Sequence, residues 1–169
     1  MKKLLLAMLI CLPLKSFAQW SGTVGIFNYE FDADGASVDA ENGIFLGGLY
    51  QTKLQFGNVR TGVIYTQRKS SIGTVDFNTK YIDVPALYMH SLNQTVTLLG
   101  GPVLAFNLED DDLDLETFFF ALRFGANFVL DSLNSIDAFY EMNLTTVGED
   151  ATGGDVDGSG IGVAYVRKF

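Results

Sequence analysis

The last ten residues of the chain alternate large and small side chains and end on an aromatic residue. The larger side chains share one face: Ile161, Val163, Tyr165 and Phe169. The smaller ones share the other: Gly160, Gly162 and Ala164. A repeat of two residues is the mark of a β-strand. A strand with a large apolar outer face and a small inner face suits a small closed barrel in lipid better than the edge of a β-sandwich.

The first residues have the pattern of a secretory signal peptide. Two lysines precede an apolar run over residues 4–14, and the sequence Ser-Phe-Ala at residues 16–18 fits a cleavage site. About eleven apolar residues interrupted by a proline are fewer than the ~20 that a spanning helix needs. We therefore predict a cleaved signal peptide over residues 1–18, followed by one domain over residues 19–169.

Removal of this leader changes both the thiol content and the charge. Cys11 is the only cysteine of the chain, so the mature domain is predicted to have no disulfide. The mature chain keeps 8 basic and 20 acidic residues, a formal charge of −12. A surface of this charge repels nucleic acid, and the sequence predicts no nucleic-acid partner.

Eight strand-like stretches follow, each about as long as a tilted strand that crosses a bilayer. They cover residues 20–31, 42–54, 58–69, 77–90, 95–107, 117–130, 135–147 and 160–169. Short connections at 55–57, 91–94 and 131–134 alternate with longer ones at 32–41, 69–76, 109–116 and 148–159. This plan predicts an all-β fold, an eight-stranded antiparallel up-and-down transmembrane β-barrel, with termini and short turns in the periplasm and long loops outside. The alternative, a soluble periplasmic β-sandwich, does not require connections of alternating length.

Two stretches show which face is apolar. One face carries Phe118, Phe120, Leu122, Phe124, Phe128 and Leu130, continued in the next stretch by Ile136, Ala138, Tyr140, Met142 and Leu144. The opposite faces hold charges in the middle of the strands, which indicates apolar side chains towards lipid and charges inside. The first two stretches have apolar residues in both registers, so their faces stay unassigned. Pro102 predicts a bulge or bend in the fifth stretch.

A polar network is predicted in the interior. Its members are Arg60, Arg68, Asp83, Arg123, Asp137 and Glu141. Arg123 and Glu141 fall at nearly the same depth on neighbouring strands, so we expect a charge-assisted hydrogen bond between them. The network is interpreted as a structural core, with a proton or ion pathway as the alternative. Eight strands enclose a space that side chains just fill, so an open pore is not expected.

Fifteen of the 20 acidic residues fall in or beside the predicted long loops. Carboxylates at this density suit hard cations, and weak candidates for calcium are Asp110, Asp111, Asp112 and Asp114. The alternative is a solvated set of loops whose charges repel one another. His90, the sole histidine, falls near a short turn, and no catalytic residue and no cofactor is predicted. A girdle of aromatic anchors at the lipid boundaries is expected from Trp20, Tyr50, Tyr65, Tyr88, Tyr165 and Phe169.

The chain resembles the small bacterial outer-membrane β-barrels of the OmpX/OmpA type, and more closely the PorT-like "outer membrane protein beta-barrel domain" group, often labelled porin family. The segments that carry the resemblance are 61–69, 81–87, 100–102 and the terminal strand. It implies residence in the outer membrane and insertion by the barrel-assembly machinery, for which Tyr165 and Phe169 fit the terminal signal. Arg167 departs from that signal.

These observations lead to a ranked set of functions. The first is a non-enzymatic barrel in outer-membrane lipid and lipopolysaccharide, with acidic extracellular loops that serve envelope structure or surface interaction and can attract divalent cations. The second is a narrow channel for small or apolar solutes. The third is a lipid-modifying enzyme. The resemblance implies no single activity, because such barrels carry many functions on one fold.

Overall fold

The computed structural model describes residues 19–33, 39–55, 57–72, 75–108, 117–146, 148–149 and 155–169. The strands found there are β1 (Gln19–Ala33), β2 (Asp39–Leu54), β3 (Gly57–Ile72), β4 (Val75–Ser91), β5 (Val96–Asn107), β6 (Phe118–Val129), β7 (Asn134–Asn143), β8 (Gly148–Glu149) and β9 (Asp155–Lys168). Neighbouring strands pair antiparallel, and β1 also pairs with β9. Because β8 is a two-residue strand that pairs only with β9, the wall of the closed barrel is built by the eight other strands. The predicted fold class is confirmed, whereas the leader lies outside the described residues.

The pairing around the ring fixes the tilt of the strands. A path that starts at Gln19 and passes from each residue to its paired partner on the next strand crosses all eight strands and returns to β1 at Tyr29. The return point is ten residues further along the chain than the start. With the usual strand spacing and rise, this shift over eight strands gives a tilt of roughly 40°. None of the described segments is a helix long and apolar enough to cross a membrane.

Five strands, β1 to β4 and β9, extend further at the long-loop end than the sequence predicted, whereas β7 ends earlier, at Asn143. Pairing of β3 with β4 continues to Ile72 opposite Val75, and β8 pairs with the start of β9. Much of the predicted loops 32–41, 69–76 and 148–159 is therefore strand. The bonds of a β-ladder join backbone groups, so the ladder can continue where the side chains become polar. The amphipathic pattern marks only the part of each strand that has an apolar outer face.

The predicted bulge at Pro102 is not present, and a shift of register occurs in another strand. Pro102 lies opposite Leu122, and the register of β5 is unchanged on both sides of it, so the predicted bulge is wrong. The register shifts instead in β2, between Glu41 and Phe45. Gly43 lies at the shift, where a Cβ would be 1.8 Å from the carbonyl oxygen of Gln67. Glycine permits this close approach of two backbones.

Two short turns are closed by side-chain acceptors at one end of the barrel. Asn93 Oδ1 accepts hydrogen bonds from the backbone N–H groups of Thr95 and Val96. Asp131 Oδ1 accepts equivalent bonds from Leu133 and Asn134. The side chain of Asn134, followed by the backbone N–H of Leu133, lowers the pKa of Asp131. Asn and Asp favour such turns because their side chains bond to the backbone two or three residues on.

The structure assigns the faces of the first two strands, which the sequence left open. Val24 and Ile26 of β1 are more than half exposed on the outer surface, whereas Phe27 and Tyr29 are fully buried inside. In β6 the outward apolar positions run from Phe118 to Phe128. Ten residue steps on a strand of this tilt cover ~25 Å along the barrel axis, the height of an apolar band in lipid.

Inward-facing glycines occupy the middle of the barrel wall. Six strands contribute one each: Gly25, Gly47, Gly62, Gly101, Gly125 and Gly162. At the first five, a Cβ would lie 2.2–2.3 Å from a carbonyl oxygen of the neighbouring strand. At Gly162 it would lie 2.2 Å from the ring of Phe139, which projects into this level from β7. The glycines thus leave room for the neighbouring strand backbones and for one large ring.

Adjacent glycines of β2 provide a matched test of this packing. Gly47→Ala should destabilise the barrel by ~1–3 kcal/mol, because the new methyl group collides with the backbone of Val63. Gly48→Ala should change stability by less than ~0.5 kcal/mol, since its Cβ points outward and meets nothing within 4 Å. Urea unfolding of protein refolded into vesicles, followed by the fluorescence of Trp20, measures both. Equal losses in the two variants would contradict the packing argument.

Candidate functional site

The six polar residues predicted for the interior all lie there, with side chains that are almost completely buried. Three are cations and three are anions, so their formal charges cancel. They divide into two groups. Arg68, Asp83, Arg123 and Glu141 form the larger group, and Arg60 with Asp137 forms the smaller one.

Glu141 is the centre of the larger group. Its Oε1 accepts a hydrogen bond from Arg68 Nη2 at 2.8 Å, and its Oε2 accepts one from Arg123 Nε at 2.8 Å. Asp83 accepts from Thr66 Oγ1 at 2.8 Å and from Arg68 Nη2 at 3.3 Å. Both carboxylates therefore have charged and hydrogen-bonding partners. A buried ion pair is strongly unfavourable unless its charged groups have such partners.

The smaller group is a separate ion pair with amide and hydroxyl support. Arg60 Nη1 lies 2.7 Å from Asp137 Oδ2. The other oxygen of this carboxylate accepts a hydrogen bond from Asn127 Nδ2, which also donates to Ser135 Oγ at 2.8 Å. The pair joins β3 to β7 across the lumen, because these strands are not neighbours in the wall. It therefore links opposite parts of the ring through its interior.

Aromatic rings enclose the guanidinium group of Arg68. Its Cζ lies 4.6 Å from the ring centroid of Tyr81, 4.9 Å from those of Tyr29 and Phe119, and 5.7 Å from that of Phe27. Arg123 Cζ lies 4.2 Å from the ring centroid of Phe139. A cation above an aromatic face is attracted to the ring quadrupole, more strongly where water is excluded. The arginines are thus held by carboxylates and by rings.

The sequence reasoning missed this aromatic part of the site. The pairing of the first strand with the last, which a closed barrel requires, could have predicted the direction of the side chains on β1. The terminal strand turns Val163 and Tyr165 outward and pairs with β1, where Ile26 lies opposite Val163. Directly paired residues share a face, so Ile26 must point outward and Phe27 inward.

The interior leaves little empty space. One cavity has a volume of about 20 Å³, enough for about one water molecule. Its lining includes Arg60, Arg123, Asp137 and Phe139. Phe139 packs against Phe27 and Phe45, with both ring centroids 5.7 Å away. In the described part of the chain, the lumen is therefore filled by side chains.

The other predicted sites have different outcomes. Asp110, Asp111, Asp112 and Asp114 lie outside the described residues, so calcium binding stays a prediction. Among the residues that the structure describes, no group of His, Cys, Asp and Glu could hold a metal ion. His90 is exposed, one residue before the end of β4 and opposite Leu98.

Aromatic residues mark the short-turn end of the outer surface. The rings of Trp20 and Tyr50 are 5.0 Å apart, and Tyr88, Tyr165 and Phe169 are exposed at the same end. Tyr165 donates a hydrogen bond from its hydroxyl to Asn134. Tyr65 lies further along its strand, opposite Leu46 and Ile82. At the other end, aromatic contacts join Phe106, Phe118 and Phe120.

The comparisons with known proteins agree with this architecture. Residues 4–169 match the family described as "Outer membrane protein beta-barrel domain". The chain belongs to this outer-membrane β-barrel family. Its outer surface of apolar and aromatic side chains accordingly faces lipid, and the six buried charged residues lie in the lumen.

Two solved structures are similar to this chain in fold. Neisserial surface protein A (NspA) is 18% identical, with a TM-score of 0.69, over 91% of this chain and 100% of that chain. Ail, the attachment invasion locus protein of Yersinia pestis, is 19% identical, with a TM-score of 0.52, over 91% and 100% of the two chains. The Ail structure is a complex with the heparin analogue sucrose octasulfate. Comparison with curated protein sequences finds no match.

Replacement of Arg68 tests the interior network. Arg68→Ala should destabilise the barrel by ~3–5 kcal/mol, because it leaves Glu141 and Asp83 with less compensation in a buried site. Millimolar guanidinium chloride should restore part of this loss relative to sodium chloride, since the ion can occupy the space between the rings. Urea unfolding measures both effects, with the wild-type protein as the control. A variant as stable as the wild type would contradict the role of Arg68.

Proposed function

We propose that this protein is a closed, non-enzymatic outer-membrane barrel whose acidic loops bind cationic partners at the cell surface. The observation that carries the proposal is the distribution of charge. The interior cations and anions cancel, whereas 15 of the 20 acidic residues of the sequence fall in or beside the predicted long loops. A single-signed rim raises the local concentration of oppositely charged molecules.

The proposed orientation has the short turns and both termini in the periplasm. Short periplasmic turns and longer external loops are the usual plan of such barrels. Two of the short turns are compact and closed by their own side chains. The acidic segments 109–116 and 148–159 then belong to the external rim, and Tyr165 and Phe169 face the side from which the barrel-assembly machinery acts.

Lipopolysaccharide is the proposed neighbour of the external rim. Its phosphates and the loop carboxylates are both anionic, so divalent cations are the natural bridge between them. Soluble partners would be cationic. The sulfated ligand in the Ail structure has the opposite charge, and a mature chain of −12 repels such a polyanion. We therefore propose a different class of partner for this barrel.

The charged interior supports a structural role better than a conducting one. A channel for small solutes needs a continuous gap, and the cavity beside Phe139 holds about one water molecule. A lipid-modifying enzyme needs a nucleophile or a base at the lipid boundary. His90 lies at the short-turn end, away from the long-loop end to which the proposed orientation assigns most of the carboxylates that could orient a catalytic histidine. We therefore rank both alternatives behind surface interaction.

Binding of charged polymers tests the proposed surface activity. The mature barrel in nanodiscs should bind polylysine and not heparin, with an affinity that falls as salt rises, because the contact is electrostatic. Replacing Asp110, Asp111, Asp112 and Asp114 by Asn should weaken polylysine binding. Asp131→Asn, at the opposite end, should leave it unchanged. Biolayer interferometry measures all four cases, and preferential binding of heparin would refute the proposal.

Conductance across a planar bilayer separates a plugged barrel from a channel. The wild-type protein should give no discrete current steps. Phe139→Ala should produce steps, because it removes the large ring at the level of the inward glycines beside the cavity. Phe128→Ala, which shortens an outward side chain of β6, is the matched control and should give no current steps. Steps in the purified wild-type protein would favour the channel.

A further inference from the structure

The outer surface has a groove across three strands near the short-turn end. Gly22 and Gly48 lie directly opposite each other on β1 and β2, and both face outward. A Cβ at Gly48 would meet nothing within 4 Å, and one at Gly22 would meet only the ring of Phe169, at 3.4 Å. The two glycines form a floor without side chains.

Larger side chains border this floor on both sides. The row nearer the middle of the barrel contains Tyr165, Val24 and Leu46 in mutually paired positions. The row nearer the rim contains Trp20 opposite Tyr50. The part of the groove lined by Gly22, Val24, Leu46, Tyr165 and Arg167 has a volume of about 490 Å³, within the range of small-molecule sites, ~300–1,000 Å³.

Arg167 is the charged residue of this groove. It lies opposite Gly22 on β9 and lines the groove together with Tyr165 and Val24. In the described part of the chain its side chain has no ion pair. The pKa of Asp131 in the nearby turn is lowered chiefly by the side chain of Asn134 and least by Arg167, and its carboxylate accepts its hydrogen bonds from Asn134 and Leu133. The guanidinium group of Arg167 faces outward at the level of the aromatic girdle, and its N–H groups are therefore available to a ligand.

We propose that the groove is a binding site for one glycerophospholipid. The phosphate would pair with Arg167, whose planar fork of N–H donors matches phosphate oxygens. One acyl chain would lie over Gly22 and Gly48. The row of paired residues Arg167, Gly22 and Gly48 is inclined because the strands are tilted. It runs from Arg167 at the rim towards the middle of the membrane, which is the direction that a lipid tail takes. With the orientation proposed above, the lipid belongs to the periplasmic leaflet.

This assignment also accounts for the departure of Arg167 from the usual terminal signal. An apolar residue here would continue the lipid-facing side of β9 from Ile161 through Tyr165. A cation at this position needs an anion or water, and the level of the lipid phosphates supplies the anion. Lipopolysaccharide is not the proposed occupant, because it belongs to the opposite leaflet.

Native mass spectrometry in detergent with added dioleoyl-phosphatidylglycerol tests the site. The wild-type barrel should retain one phosphatidylglycerol, about tenfold more strongly than dioleoylglycerol, which has the same chains and no phosphate; this is the scale of a hydrogen bond to a charged group. Arg167→Gln should abolish the preference. Gly48→Phe should fill the groove and reduce retention about tenfold. Gly100→Phe is the matched control, since Gly100 also faces open space on another part of the wall.

Heat-dependent gel mobility shows that each variant is folded. If Gly48→Phe fails to fold, the Arg167→Gln comparison of the two lipids still decides. Equal lipid retention by Gly48→Phe and Gly100→Phe, or no preference for the phosphate, would overturn the proposal. A wild-type dimer that dissociates in Gly48→Phe would assign the groove to a second copy and would also overturn it. None of these outcomes depends on what the acidic loops bind.

Discussion

The hydrogen-bonded pairing of β1 with β9 is the constraint on which the structure depends. An open sheet would leave the backbone N–H and C=O groups of both edge strands in hydrocarbon, where no water can bond to them. Closure removes those edges. It also creates an interior so narrow that neighbouring strands approach at glycines and that opposed charges must pair. The larger charged group thus results from closure of the ring and also stabilises it; its members are Arg68, Asp83, Arg123 and Glu141.

Much of this architecture could be predicted because alternation is dictated by the pleat of a strand. In β6, β7 and β9 one face is apolar, and the other is mainly small, polar or charged apart from Phe119 and Phe139, so the faces follow from the sequence. The turns around Asn93 and Asp131 were also identifiable, since these side chains favour turns. The predicted depth of Arg123 and Glu141 follows from the two-residue period and one short turn between adjacent strands.

The rest needed information that no single strand contains. Large side chains occupy both registers of β1, Phe27 and Tyr29 in one and Val24 and Ile26 in the other. Their direction is fixed only by the pairing of β1 with β9. The rings around Arg68 come from β1, β4 and β6, which meet only across the lumen. The extended pairing to Ile72 and Val75 depends on backbone bonds that composition does not reveal. The register shift at Gly43 likewise reflects contact with Gln67 of the next strand.

The cancellation of charge inside the lumen affects how copies of the protein interact with one another in a membrane. Because the paired ions contribute no net charge, the net negative charge of the molecule comes from residues outside the lumen. Neighbouring copies in a membrane would therefore repel through these residues while their apolar sides remain compatible. Spacing between barrels becomes a function of ionic strength and of multivalent ions in the medium, so lateral clustering should respond to the surroundings without any change in the barrel itself.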